Sequence, residues 1–194
     1  EAPEWLSRVT WLDNLPNHFD GIILANEVLD ALPVHLIVWH AHGPLERGVT
    51  LRDGQLAWCD RPLSEGRLHQ AVALLPEQAD GYLSEVNLAG PALIRTLADC
   101  IDRGVVLFLD YGFPRAEYYH SQRHGGTLMC HYRHFAHDDP LYLPGLQDIT
   151  AHVDFTAAAD AALESGMDVL GYVNQASFLV NCGLLDDLAQ LDAD

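Results

Sequence analysis

Two apolar runs in this chain end on polar residues able to do chemistry. "GIILA" (21–25) is followed by Asn26, Glu27 and Asp30, and "VVLFL" (105–109) by Asp110 and Tyr111. An unbroken apolar run opened by a Gly reads as a buried strand, covered on both faces. The carboxyl ends of parallel strands are where open α/β sheets hold ligands. If the two strands are neighbours, their ends face one crevice, and carboxylates there can hold an amine, a ribose hydroxyl or a guanidinium. A plainer role is open to the same residues. Asn26 can cap a short helix "EVLDAL" that Pro33 stops, with Glu27 and Asp30 facing water.

Two further groups contain histidine. In "DITAHVDF" His152 lies between Asp148 and Asp154, a pattern that suits an oriented general base, although Asp154 can equally cap the helix that follows. In "HYRHFAHDD", His131, His134 and Asp138 would be the ligands of a metal-dependent hydrolase. "TLMCHYRHF" reads as a strand, however, which points His131 and His134 to opposite faces, so no metal site is assigned. No nucleophile is marked: there is no GxSxG elbow, and Cys130 and Cys182 have no evident partner. "GG" at 125–126 follows a loop, not a strand, and does not read as a phosphate cradle.

The elements that must position these groups follow from periodicity. "VTWL" (9–12) reads as a strand, then a polar turn leads into the buried run. From Val34 to Leu63 the pattern alternates, and "RDG" between β-rich runs signals a hairpin, an antiparallel excursion from the parallel sheet. Residues 64–82 read as partly helical. "SEVNLAGPALIRTLADCIDRG" (84–104) predicts a helix, starting afresh at Pro91, with an apolar face at 93, 97, 100 and 101 and Gly104 at its C′ position. A helix between two buried strands is a crossover unit. "GTLMCHYRHF" predicts a strand, Asp154 a cap for "FTAAADAALES" ended by Gly166, "MDVLGYV" (167–173) a third strand, and "QASFLVNCG" a short helix trailed by "LLDDLAQL".

The chain has 194 residues, with 10 Lys plus Arg against 28 Asp plus Glu, a formal net charge of −18. Such a surface repels phosphate backbones and anionic lipid, so nucleic acid and membrane are poor partners and a basic protein segment is a good one. No apolar run approaches the ~20 residues that span a bilayer. Four widely spaced Cys without a CxxC fit reduced thiols and a cytoplasmic setting. Glu1 opens in mid-pattern with no basic and apolar leader, which reads as an excised fragment. A single domain over 1–194 is expected.

"ANEVLDALPVH", "FLDYG", "GGTLMCHYRH", "DITAHVDF" and "NQASFLVNCG", in this order over residues 9–185, resemble the MidA family of class I S-adenosylmethionine-dependent methyltransferases. The resemblance implies an α/β fold: the later strands of a Rossmann-like methyltransferase sheet, with 34–63 and 115–150 as insertions. It implies S-adenosyl-L-methionine as cofactor and a protein substrate, modified at arginine. It assigns catalytic roles to Glu27, Asp30 and His152, cofactor contacts to Asp13, Asn26 and Glu27, and substrate contacts to Asp110, Tyr111 and Asp148. Thr150 and Asp154 match the same block as His152, and Gln175 a later "TQ" motif that here reads "NQ" with Asn174. The family's glycine-rich cofactor loop and ribose carboxylate have no counterpart in this sequence. This chain alone is therefore expected to hold no cofactor, to be inactive, and to leave strand 21–25 with an edge that self-associates unless residues 1–20 shield it. The alternative is a non-catalytic partner-binding module of the same fold.

Overall fold

A computed structural model describes residues 3–191. The two apolar runs are neighbouring parallel strands, as read. β1 (Phe19–Asn26) pairs with the later strand Ile101–Leu109 in a register that sets Asn26 opposite Leu109, so both polar ends arrive at one edge. The chain between them makes the antiparallel excursion. β2 (His35–His40), β3 (Gly43–Arg52) and β4 (Gln55–Pro62) are followed by α1 (Arg67–Ala73) and β5 (Leu83–Val86), and the sheet order is β4-β3-β2-β5. Asp53 and Gly54 form the β3–β4 turn, both with positive φ (52° and 79°), the primed turn that matches strand twist. Ile37, Trp39, Tyr82 and Val86 from this sheet close on Leu68 and Val72 of α1 as the core. Trp39 meets Tyr82 edge-on at 5.5 Å.

α2 (Ala89–Cys100) leads straight into β6 (Ile101–Leu109). Asn87 Oδ1 accepts the Gly90 N–H at 2.7 Å and so starts the helix, while Gly90, Ile94, Leu97 and Cys100 form its buried stripe. β7 (Gly112–Phe113), α3 (Arg115–Tyr118), β8 (Met129–Tyr132), β9 (Phe135–His137), β10 (Asp148–Thr150) and β11 (Val153–Asp154) complete the strands. α4 (Phe155–Glu164) is capped by Asp154, whose Oδ1 accepts from Thr156 and Ala157, and it packs on α2. Its far end is a Schellman turn: Gly166 at φ 81°, with Gly166 N–H on the Leu163 carbonyl and Met167 N–H on that of Ala162. α5 (Gln175–Asn181) and α6 (Leu184–Leu191) end the described chain. Asn174 caps α5 by accepting from Ser177 N–H at 2.8 Å, which gives the residue that departs from "TQ" a structural duty.

Five expectations are corrected. Residues 9–12 and 167–173 are not strands: a strand needs a neighbouring backbone, and among the described residues neither segment has one. Gly104 is not a helix terminus. Ile101 is already extended, and Gly104 faces Gly21 across the β1–β6 pair, where a Cβ would collide with the Gly21 carbonyl oxygen. "EVLDAL" forms a turn instead of a helix, for reasons given below. "GTLMCHYRHF" is not one strand but the β8–β9 hairpin, with Arg133 and His134 at φ 47° and 66° in its turn. Finally, β1 is covered on one face only among the described residues: Ile22 and Leu24 are 74% and 67% exposed, and its outer edge is unpaired.

The excursion sheet is joined to the 118–128 segment through a buried carboxylate. Glu85 on β5 is 1% exposed and accepts from Thr127 N–H (2.8 Å), Leu128 N–H (3.0 Å), Thr127 hydroxyl (3.1 Å) and Tyr118 hydroxyl (3.1 Å). The "GG" pair makes this possible: Gly126 has φ 77°, and a Cβ there would strike Glu85 Oε1. Glu85→Ala strands at least three buried donors, and a loss of about 3 kcal/mol of stability is expected, measurable by urea unfolding.

Candidate functional site

The site is assembled where β1 and β6 end. The Glu27 N–H donates to the Leu109 carbonyl at 2.8 Å, continuing the strand pairing by one residue, and Glu27 itself takes a left-handed φ of 51°. That conformation is uncommon for a residue with a side chain and turns the chain sharply away from the sheet. Asp110 then holds the turn. Its Oδ2 accepts from the N–H groups of Val28 (3.1 Å), Leu29 (2.8 Å) and Asp30 (3.4 Å), and its Oδ1 from Tyr111 N–H (3.0 Å). A helix leaves these first-turn donors free as well; what keeps "EVLDAL" a turn is the left-handed Glu27 at its start and Pro33, which has no N–H for the Leu29 carbonyl. From the other side Asn87 donates to the Leu29 carbonyl and Ala151 N–H to that of Asp30.

The fixed turn buries Leu29 and Asp30 and leaves Asn26, Glu27 and Val28 exposed. Asp30 is 7% exposed, and its Oδ1 has no hydrogen-bond partner. Burial first, then the neighbouring Asp110 and Glu27 charges, push its pKa above the ordinary carboxylate range. Asp30 is thus a carboxyl group with raised affinity for a proton, beside an exposed carboxylate.

His152 reaches the same region through a different path. β11 pairs in parallel with β7, and Val153 N–H donates to the Tyr111 carbonyl at 2.7 Å. His152 N–H donates to the hydroxyl of Thr127, itself held by Glu85. Its ring lies 5.2 Å from that of Phe113, whose face carries the Arg123 guanidinium at 4.0 Å, and its Nδ1 is buried without a partner. Burial and the Arg123 charge lower its pKa, so it is neutral at pH 7. Asp148 and Asp154 do not orient this ring: Asp148 sits on β10 opposite His131, and Asp154 caps α4 and pairs with Arg115 at 3.2 Å.

Glu27, Asp30 and Asp110 are thus brought together, with His152 linked through the 148–154 block. Tyr111 is exposed at the β6 end, and Asp13 lies on an exposed irregular segment. Asp110 differs from expectation, since both its oxygens are taken by backbone N–H groups of the protein. His131 and His134 lie on a strand and in its turn, and among the described residues no three His, Cys, Asp or Glu side chains are arranged to hold a metal. Cys130 is fully buried, and burial raises its pKa, which suits a core thiol. Glu85, Thr127 and Arg123 were not foreseen. The one signal was "GGT", whose glycines allow close approach to an unstated partner.

The model of a family described as S-adenosyl-L-methionine-dependent methyltransferases matches residues 1–173. The protein arginine methyltransferase NDUFAF7, mitochondrial, of Danio rerio is 31% identical over 187 residues, covering 89% of this chain and 39% of the relative. Its Caenorhabditis elegans homolog is 28% identical over 189 residues, covering 93% and 41%. This chain spans about two fifths of the length of these curated relatives. A crystal structure of a COG1565 superfamily member from Burkholderia thailandensis, bound to S-adenosyl-homocysteine, superposes with a TM-score of 0.92 at 49% identity, covering 97% of this chain and 49% of that one. The native structure of a COG1565 superfamily protein from the same organism gives 0.92 at 50% identity, covering 97% and 50%.

Two measurements probe this site. Asp110→Asn turns an amide donor toward backbone donors, so amide exchange at Val28–Asp30 should accelerate, with about 1–3 kcal/mol of local stability lost. For Asp30, a raised folded-state pKa means that its protonated form favours the fold below the ordinary value near 4, and that this contribution is lost as pH rises through the raised value. The stability of Asp30→Asn relative to the parent should therefore grow from pH 4 to pH 7, which denaturant melts at the two pH values read directly.

Proposed function

Because the chain belongs to the MidA-like family of S-adenosyl-L-methionine-dependent methyltransferases, we propose that it forms the acceptor side of an enzyme that methylates an arginine of a protein partner. The observation that carries this reading is the clamped turn: an exposed carboxylate, Glu27, beside a buried carboxyl, Asp30, at the end of two paired parallel strands. The named arginine methyltransferases among the relatives support it, as does the charge of −18, which suits a basic partner. We read 34–63 and 115–150 as insertions in one methyltransferase domain.

The donor set fits part of such a cofactor site. Asn26 and Glu27 would line the adenine rim at the β1 end, with Asp13 as the weakest candidate, since nothing in the fold ties it there. The N–H groups of Val28–Asp30 are already taken by Asp110 and are not free to bind the cofactor. When bound, S-adenosylmethionine supplies a methyl group on a cationic sulfur, and transfer to nitrogen breaks the carbon–sulfur bond. The chain's own residues then have three tasks. Glu27 accepts hydrogen bonds from the guanidinium, fixing one nitrogen in line and drawing its charge away. Asp30, with raised proton affinity, receives the proton released as the new carbon–nitrogen bond forms. His152, neutral, is a second acceptor at the same edge. Tyr111 and Asp148 stand as outer contacts to the substrate, and Asp110 acts by holding the turn.

The test is Glu27→Gln in the intact protein. Loss of a carboxylate that acts on the acceptor should cost turnover by about 1–3 kcal/mol in the barrier, far more than it costs S-adenosylmethionine affinity. Normal methylation by the variant would reduce Glu27 to a turn residue. Calorimetry of the intact protein that shows no heat of S-adenosylmethionine binding would favour the binding-module alternative.

A further inference from the structure

Away from the strand ends, a second concave surface lies between the excursion sheet and the loop after β9. It is an open groove of about 870 Å³, lined on one side by Gln55, Leu56, Ala57 and Trp58 of β4 and on the other by Asp138, Asp139, Leu141, Tyr142 and Pro144. β4 is an outer strand of its sheet, bonded to β3 alone. Four consecutive residues of β4 line the groove. Successive side chains of a strand point to opposite faces, so it is the strand's free edge that turns toward the opening. Four residues of strand offer about 13 Å of backbone, enough to register an extended segment of similar length. No Lys, Arg or His lines the groove, while two carboxylates and two aromatic rings do.

We propose that this groove docks an extended, arginine-bearing segment of a protein partner, which adds a strand to the free edge of β4. Backbone pairing to the edge supplies affinity irrespective of sequence, and side-chain pockets supply selectivity. An arginine on the segment meets Asp138 and Asp139 with its charge and the faces of Trp58 and Tyr142 with its planar guanidinium. Asp139 is already oriented: its Oδ1 accepts from Leu141 N–H at 2.9 Å, and its N–H donates to His137 Nδ1. The loop carrying these carboxylates runs on into β10 and then to Ala151, which is bonded to the Asp30 carbonyl, so the groove and the strand-end site share one continuous segment. The inference rests on the reading of a protein substrate modified at arginine and adds where that substrate is gripped.

Calorimetry of the chain with an end-blocked peptide of alternating arginine and valine, without S-adenosylmethionine, tests it. Binding is expected for this peptide and not for its glutamate counterpart. Asp138→Asn with Asp139→Asn keeps the loop's hydrogen-bond acceptor and should weaken binding roughly tenfold. Trp58→Phe, which keeps a ring, should weaken it less. Asp186→Asn with Asp187→Asn, on α6, removes the same charge elsewhere and should leave it unchanged. Equal loss from both pairs would mean non-specific attraction to an acidic surface and overturn the proposal. So would undiminished binding by the groove variant, or concentration-dependent dimerisation through β4. Peptide binding by an intact protein that methylates no arginine would leave the groove standing and remove the arginine-methylation reading, and arginine methylation by an intact protein without peptide binding would do the reverse.

Discussion

The carboxylate of Glu85 is the point on which the layout depends. A charged group at 1% exposure is costly to bury unless its lone pairs are filled, and here four donors fill them. Those donors come from segments far apart in sequence. Tyr118 belongs to α3, and Thr127 and Leu128 follow the glycine pair that runs beside β5 through the Leu83 N–H bond to the His124 carbonyl. Tyr119 adds a hydrogen bond from its hydroxyl to the Glu85 carbonyl. Burial and the Glu85 charge both raise the Tyr118 pKa, so that hydroxyl stays a donor at any ordinary pH.

The consequences reach the strand ends through Thr127, whose hydroxyl also receives the His152 N–H. A second carboxylate, Asp110, works in the same way on the other side, gathering the N–H groups of the turn after β1. Two acidic residues thus serve as internal organisers, and Asp30 and Glu27 beside them do not. The difference is satisfaction. Glu85 and Asp110 have their oxygens filled by the protein, whereas Asp30 keeps a buried oxygen without a protein partner.

The same division separates the two antiparallel features. The excursion sheet has a core of its own under α1, with Trp39 and Tyr82 at its centre, and projects β4 as a free edge. The β8–β9 hairpin carries the loop that faces that edge. Sequence that interrupts the parallel pair therefore makes a surface distinct from the strand-end site yet joined to it by β10 and β11.

The sequence by itself determined whatever depends on near neighbours. The apolar runs at 21–25 and 105–109, the Asp53–Gly54 turn, the Asp154 cap and the Gly166 terminus are each specified within a few residues, and each is where the pattern puts it. The family was legible for the same reason, since its blocks are local strings. Only the tertiary structure could decide which carboxylates are organisers and which are free, because that depends on partners 33 to 82 positions away, such as Tyr118 for Glu85 and Val28 for Asp110. The errors have the same origin. "EVLDAL" lost its helix to Pro33 and to distant donors, Asn87 and Ala151, that take the Leu29 and Asp30 carbonyls, and residues 9–12 and 167–173 have strand-like composition but, among the described residues, no neighbouring backbone. A hydrogen bond across the fold outweighs a local propensity worth a few tenths of a kcal/mol per residue, on the order of 1 kcal/mol against less than that.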